Sequence, residues 1–416
     1  MRSKILLALC AVLALHVACG GSTADKGVPG CPASSPTTVS GVVHAPNGTL
    51  PVFDAWVYVP ASAPPALPEG AACRRCGGSP PGAVVWTRTD PTGSFRLVDV
   101  PSGTNVPVVV EIGGWRRVVT VPSVVACADN PLQAEATRLP RSSAEGRIPR
   151  LALSTGGGGA LECLLRKFGI ADSEFTTAGG AGRVHLYAGS GGTDRFDAAH
   201  GGSALAPSAA LWSDRASLDA YETVLLSCEG SQHPETKPAS ALKAMLDHVD
   251  GGGRLLASHW HNYWLQAGPP PWPAVATFDN NLPDLGAVDA EVPSTPPRSA
   301  SLAQWLIEAG ASVTLGKVPL AAAKHTVTSV AASADAWLTI AARQAVPWFS
   351  FAAPFGGAAA QRCGRLTFTD LHGGAGDVSA PGLAFPSAGC TTGLASLSPE
   401  EKVLLLEFLE TGRCVE

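Results

Sequence analysis

The sequence predicts a multidomain protein, an N-terminal β-sandwich followed by an α/β domain built on a parallel sheet. Three observations predict it. The chain has 416 residues, more than one hydrophobic core usually serves. Its texture changes near residue 140, from short β-rich runs broken by turn signals to apolar strands alternating with amphipathic helices. Its composition, 45% hydrophobic with 46 Gly and 35 Pro, suits many tight turns rather than long helical bundles.

Residues 1–18 read as an export signal. Arg2 and Lys4 give a basic start, and "ILLALCAVLAL" is an apolar run too short to span a bilayer comfortably. The run ends in "LHVACGGS", which resembles the lipobox at which bacterial lipoproteins are cleaved and acylated, with His16 where that motif prefers Leu. That resemblance implies lipidation at Cys19, the membrane as a partner through that lipid anchor, and a cell-envelope location. Residues 19–36, small, polar and Pro/Gly-rich, then read as a tether.

The formal charge is −5, and losing Arg2 and Lys4 makes the mature chain more acidic still. No basic cluster is visible, so nucleic acid is excluded as a partner. Beyond Cys19 nine cysteines remain: Cys31, Cys73, Cys76, Cys127, Cys163, Cys228, Cys363, Cys390 and Cys414. In an oxidising envelope most should pair, and an odd count leaves at least one thiol out.

Over residues 37–140 the runs "VSGVVHA", "AWVYVP", "AVVWTRT", "SFRLVDV", "VPVVVEI" and "WRRVVTV" read as sandwich strands. Asn47-Gly48 supplies the positive φ of a tight hairpin. In "TDPTGSF" Asp90 is placed to bond neighbouring amides, and Gly93 relieves the bend before Phe95 enters the core. Together "SGVV", "PNG", "AWVYV" and "TRTDPTGSFRLVDVPSG" resemble the carboxypeptidase-regulatory-like, transthyretin-like fold, which implies an accessory module without catalysis. Cys73 and Cys76 sit in a Pro/Gly-rich insertion of this region. A disulfide between them is the expectation, ahead of a metal knuckle, because no second ligand pair follows at zinc-site spacing.

From residue 148 to 416 "RLALST", "RVHLYAG", "ETVLLSCEG", "GGGRLLASH" and "GRLTFTD" read as buried strands, with helices at "ALECLLRKFGI" and residues 239–249 between them. Gly156 to Gly159 read as a tight connection rather than an anion cradle, since they match no phosphate-loop spacing. The interval of about 274–355 interrupts the rhythm with one helix, "SLAQWLIEAG", and a hairpin of "AWLTIAA" and "VPWFSFAA". The last helix has Ser398 as N-cap, Pro399 in the first turn, Glu401 completing a capping box and Gly412 as its stop.

In open parallel sheets ligands bind at the carboxyl ends of strands. Three such ends carry reactive groups: Cys228, Glu229 and His233; His259 and His261; Asp370 and His372. His259 and His261 face one side only if the chain stays extended through Trp260, and the same holds for Asp370 and His372. If so, His259, His261, Asp370 and His372 form a set able to hold a divalent metal with open positions. Otherwise Trp260, Tyr263 and Trp264 simply pack while the imidazoles bond backbone. A nucleophile reading makes Cys228 the thiol, activated by His233 or His259.

"YETVLLSCEG" with "VDGGGRLLASHWH" resembles the class I glutamine amidotransferase-like fold, most closely its ThuA-like branch, over roughly residues 150–265 and 362–411. In that superfamily a catalytic cysteine follows the later strand. Here His259, Trp260 and His261 occupy that elbow, which argues against glutaminase chemistry. The branch implies sugar-related binding or hydrolysis. Taken together the chain resembles a bacterial envelope lipoprotein family of uncharacterised function. The leading expectation is a ligand-binding protein without catalysis, taking a glycan or small molecule through Trp260, Tyr263, Trp264 and His233. The alternatives are a metal-assisted or histidine-based hydrolase and a purely structural envelope protein.

Overall fold

The computed structural model describes residues 30–373, 379–387, 390 and 397–416. The signal at residues 1–18, Cys19 and the tether up to residue 29 lie outside the described residues. Strands form at Thr38–Val42, Trp56–Pro60, Ala83–Arg88, Ser94–Val98, Gly103–Ile112 and Trp115–Val124, on the six segments read as strands, with a short seventh at Asp129–Pro131. They make two facing sheets of three and four strands. Local chemistry sets the two hairpin turns. The Asn47 carboxamide accepts from the amides of Thr49 and Leu50. The Asp90 carboxylate accepts from the amides of Thr92 and Ser94. Gly93, at φ +79°, lies where a Cβ would come within 2.5 Å of the Val43 carbonyl.

The second part is an 11-stranded mixed sheet. Leu151–Ser154, Val184–Ala188, Thr223–Leu226, Arg254–Ser258 and Gly364–Thr369 run parallel. Leu151–Ser154, Thr223–Leu226 and Arg254–Ser258 are buried along their whole length, as strands covered on both faces must be. Leu153, Leu225 and Leu256 pack on one face with the helices Leu161–Phe168 and Pro399–Thr411. Ala152, Val224, Leu226 and Leu255 pack on the other with Ala239–Asp250. The last helix starts as its sequence dictates, with Ser398 Oγ accepting from the Glu401 amide and the Glu401 carboxylate accepting from the Ser398 amide.

The interval 274–355 does not stand apart from this sheet. The expected hairpin, Asp335–Ile340 and Ala345–Ala353, adds antiparallel to Gly364–Thr369, and Gly286–Glu291 and Lys317–Ala323 extend the edge further. The interval is inserted between two parallel neighbours yet completes their sheet.

The expectation for the cysteines is corrected. Cys73 bonds Cys363 and Cys76 bonds Cys414, so the CxxC pair joins the N-terminal part to the C-terminal end rather than closing on itself. Neighbouring residues do not find each other because Arg75 and Val415 form a parallel main-chain bridge that presents each thiol to a partner across the seam. Cys31–Cys127 and Cys163–Cys390 are the other bonds, and Cys228 is the free thiol among the described residues. Four disulfides place the protein in an oxidising, extracytoplasmic setting. No described helix is long and apolar enough to cross a membrane.

The sandwich and the α/β part share one apolar core. Trp115 from the sandwich meets Phe168 and Phe408 from two α/β helices, edge to face at centroid distances of 5.8 and 6.2 Å. The Trp305 indole donates to the Pro51 carbonyl at 2.8 Å. Asp54 of the sandwich pairs with Arg298 and Arg413. Trp115→Ala removes the central ring of this seam and is expected to cost about 3–5 kcal/mol. Guanidinium unfolding of the oxidised protein should show one transition moved to lower denaturant; a shift confined to the sandwich would show that the parts unfold independently.

Candidate functional site

Thr223–Leu226 and Arg254–Ser258 are adjacent parallel strands paired from Thr223–Arg254 to Leu226–Ala257. Their carboxyl ends therefore deliver Cys228 and His259 side by side. The connection after Leu151–Ser154 leaves to one face and that after Thr223–Leu226 to the other, which opens a crevice between them. The Gly156–Gly159 loop closes over that crevice. A Cβ at Gly158 would lie 2.7 Å from Cys228 Sγ, and one at Gly156 would lie 2.3 Å from the Cys228 carbonyl. The amides of Gly157, Gly158 and Gly159 are spent on the carbonyls of Ser190, Cys228 and Gly156. This loop is a tight connection, and it cradles no anion with those donors.

His259 has φ +43°, a left-handed conformation at the hand-over from strand to the 3₁₀ turn His259–Asn262. A non-glycine residue held there is strained, and such elbows aim a side chain outward from a sheet end. The imidazole is aimed at Cys228, with Nδ1 3.5 Å from Sγ. From the third strand end His372 packs edge-on to the His259 ring at a centroid distance of 4.8 Å. One ligand atom from each of Cys228, His259 and His372 lies within 4.8 Å of the other two. The backbone amides of Gly230 and Trp260 favour the thiolate form of Cys228, against the larger effect of burial.

The set differs from the four residues expected from sequence. The 3₁₀ turn rotates His261 away from His259, so the two do not share a face. His261 Nε2 donates to the Ser227 carbonyl and its Nδ1 accepts from the Trp264 indole. The Asp370 carboxylate is turned to Thr326, accepting from its amide and its hydroxyl at 2.9 and 2.7 Å. His372 Nδ1 donates to the backbone carbonyl of Asp370, not to its carboxylate. Cys228 takes the place left by His261 and Asp370.

The other expected residues separate further. Glu229 is buried in a pair with Lys237 at 2.6 Å and accepts from the Ser190 amide. Burial pushes its carboxyl up, but His261 and Lys237 outweigh that and hold it below the usual range. His233 bonds Glu235 at the surface. Trp264 is fully buried edge-on to Trp212, so it offers no ring to a ligand. Trp260 and Tyr263 remain half-buried, Trp260 with its ring 4.8 Å from that of His259.

Electrostatics decides what the cluster can do. Burial pushes the Cys228 thiol up. Burial, with the fields of His372 and Lys324, pulls His259 down to about 3. Burial and Lys324 pull His372 down to about 4. At neutral pH the trio is one thiol and two neutral imidazoles. A cysteine nucleophile needs a thiolate beside an imidazolium, and this environment opposes both charges. Two neutral imidazoles and a sulfur are instead a donor set for a soft metal ion.

Sequence reasoning did not find Lys237, Thr326 or Lys324, the residues that fix Glu229, Asp370 and the local field. No spacing signals them, since Lys237 comes from the loop before the helix Ala239–Asp250 and Lys324 and Thr326 come from one loop of the inserted interval. The meeting of Cys228 and His259 had a signal: consecutive strands of a parallel sheet are most often neighbours, so their first loop residues are too.

The fold and site define an α/β protein with a mixed sheet fused to a β-sandwich and bearing a Cys-His-His cluster at the sheet edge. No family model matches the chain, and no curated protein does. Among solved structures it is similar to a protein described as ThuA-like from Bacteroides uniformis, at 10% identity and a TM-score of 0.31, over 64% of this chain and 92% of that one. It is also similar to a C-terminal interface mutant of a type II cohesin–X-dockerin complex from Acetivibrio cellulolyticus, at 18% identity and a TM-score of 0.18, over 34% and 75%. Likenesses at these TM-scores carry no weight for fold or function.

Lys237→Met leaves the Glu229 carboxylate buried without its partner and is expected to cost about 3–5 kcal/mol in denaturant unfolding. Pairing it with Glu229→Gln should recover most of that loss; equal instability of the single and double variants would show that the pair does not act as a unit.

Proposed function

We propose that this is an exported envelope protein, tethered by a lipid on Cys19, whose α/β part binds a thiophilic transition-metal ion through Cys228, His259 and His372. The convergence of those three ligand atoms within 4.8 Å carries the reading. With both nearby carboxylates committed, Asp370 to Thr326 and Glu229 to Lys237, the donor set is soft, which favours zinc or copper over magnesium or calcium. Three protein ligands leave a fourth position on a tetrahedral ion for an exogenous ligand. The half-buried ring of Trp260 beside His259, with half-buried Tyr263 further along the same turn, is the wall such a ligand, a glycan or another small molecule, would meet. In a hydrolase the fourth position would hold water, and His259 would serve as a ligand, since its low proton affinity suits that role better than general-base work.

Metal analysis of the full chain after loading with zinc or copper tests this. About one ion per chain is expected. Cys228→Ser and His372→Ala should each weaken binding by more than the ~10–100-fold that loss of an outer-sphere partner costs. No stoichiometric ion, or full occupancy in the double variant, would overturn the reading and leave a structural role.

The pH dependence follows from the same groups. Protons compete with the metal at the thiol, whose affinity for them is raised, whereas both imidazoles are already neutral at pH 7. Binding should therefore release one proton and tighten about tenfold per pH unit across the neutral range. Calorimetry in buffers of differing ionisation enthalpy reads that proton; release of none would contradict a thiol ligand.

A further inference from the structure

A second cavity, of about 190 Å³, lies at the other end of the strand Gly364–Thr369 from His372, where the inserted hairpin, that strand and the C-terminal segment meet. Four charged side chains line it without pairing among themselves. Arg362 spends only Nε, on the Gly357 carbonyl at 2.9 Å. Arg365 donates at 3.3 and 3.2 Å to the carbonyls of Glu410 and Cys414. Among the described residues no direct ion pair joins either guanidinium to a carboxylate or joins Asp335 or Glu416 to a cation, although the fields of Arg365 and Arg362 reach Asp335 and those of Glu410 and Glu416 reach Arg365. The fifth charged group, Arg298, is already neutralised by both oxygens of Glu410.

The walls are fixed. Cys363, next to Arg362, is bonded to Cys73, and Cys414, next to Val415, is bonded to Cys76. The Val415 amide donates to the Arg74 carbonyl and its carbonyl accepts from Cys76. The CxxC segment therefore holds two sides of the cavity in place. Trp337, locked by its indole bond to Ser350 Oγ at 2.8 Å, gives an apolar wall together with Phe351.

We infer that this cavity binds a small zwitterion of the α-amino acid class, with its carboxylate toward Arg362 and Arg365 and its ammonium toward Asp335 and Glu416. Two guanidiniums and two carboxylates line one cavity without closing into direct ion pairs with each other. A simple anion meets the carboxylates there and a simple cation meets the guanidiniums, whereas a zwitterion satisfies both. Planar guanidinium donors match a carboxylate in paired hydrogen bonds, and the volume suits a molecule of that size.

Calorimetric titration of the oxidised full chain with each proteinogenic L-amino acid, with acetate and with methylammonium tests the inference. At least one amino acid should bind, with neither acetate nor methylammonium reproducing its signal. Arg362→Gln and Asp335→Asn, both at the rim, should each weaken that binding by about tenfold or more while leaving the circular dichroism unchanged. Binding by none of the amino acids, binding that survives both substitutions, or acetate binding as tightly as the amino acid would each overturn it.

Discussion

The parallel pairing of Thr223–Leu226 with Arg254–Ser258 is the constraint on which the site depends. It sets two strand ends side by side, so the residues that leave them must share one small volume. Cys228 and His259 are those residues, and the glycine loop over them leaves no room for a side chain at Gly158. Crowding removes water, and the loss of water keeps both groups uncharged. The same burial that opposes a thiolate beside an imidazolium leaves a set of neutral donors in one place.

The N-terminal sandwich contributes to this arrangement from a distance. Its Trp115 packs on Phe168 and Phe408, the helices that carry those rings cover one face of the central sheet, and two disulfides tie its insertion to the far end of that sheet. All these ties lie away from the strand ends that bear Cys228 and His259. The seam holds the scaffold and leaves the candidate centre free of it.

Much of the fold was legible in the sequence because local chemistry decides it. Alternating apolar runs, Asn47-Gly48, the Asp90 turn and the Ser398–Glu401 capping box each act within a few residues. The site was half legible. Strand ends bearing Cys228, His259 and His372 could be read, but which of them meet could not, because the choice depends on turns. One positive φ at His259 and the 3₁₀ turn after it send His261 back to the Ser227 carbonyl, and Thr326, far along the chain, captures Asp370. The disulfides failed to follow spacing for the same reason: the bridge between Arg75 and Val415 links segments 338 residues apart at Cys76 and Cys414.

The claim that Cys228, His259 and His372 form a metal centre is tested most directly by X-ray absorption at the edge of the bound ion. A loaded zinc site should show one sulfur at about 2.3 Å and two imidazole nitrogens at about 2.0–2.1 Å, with the sulfur lost in Cys228→Ser. A first shell of oxygen alone, or a sulfur that persists in that variant, would contradict it.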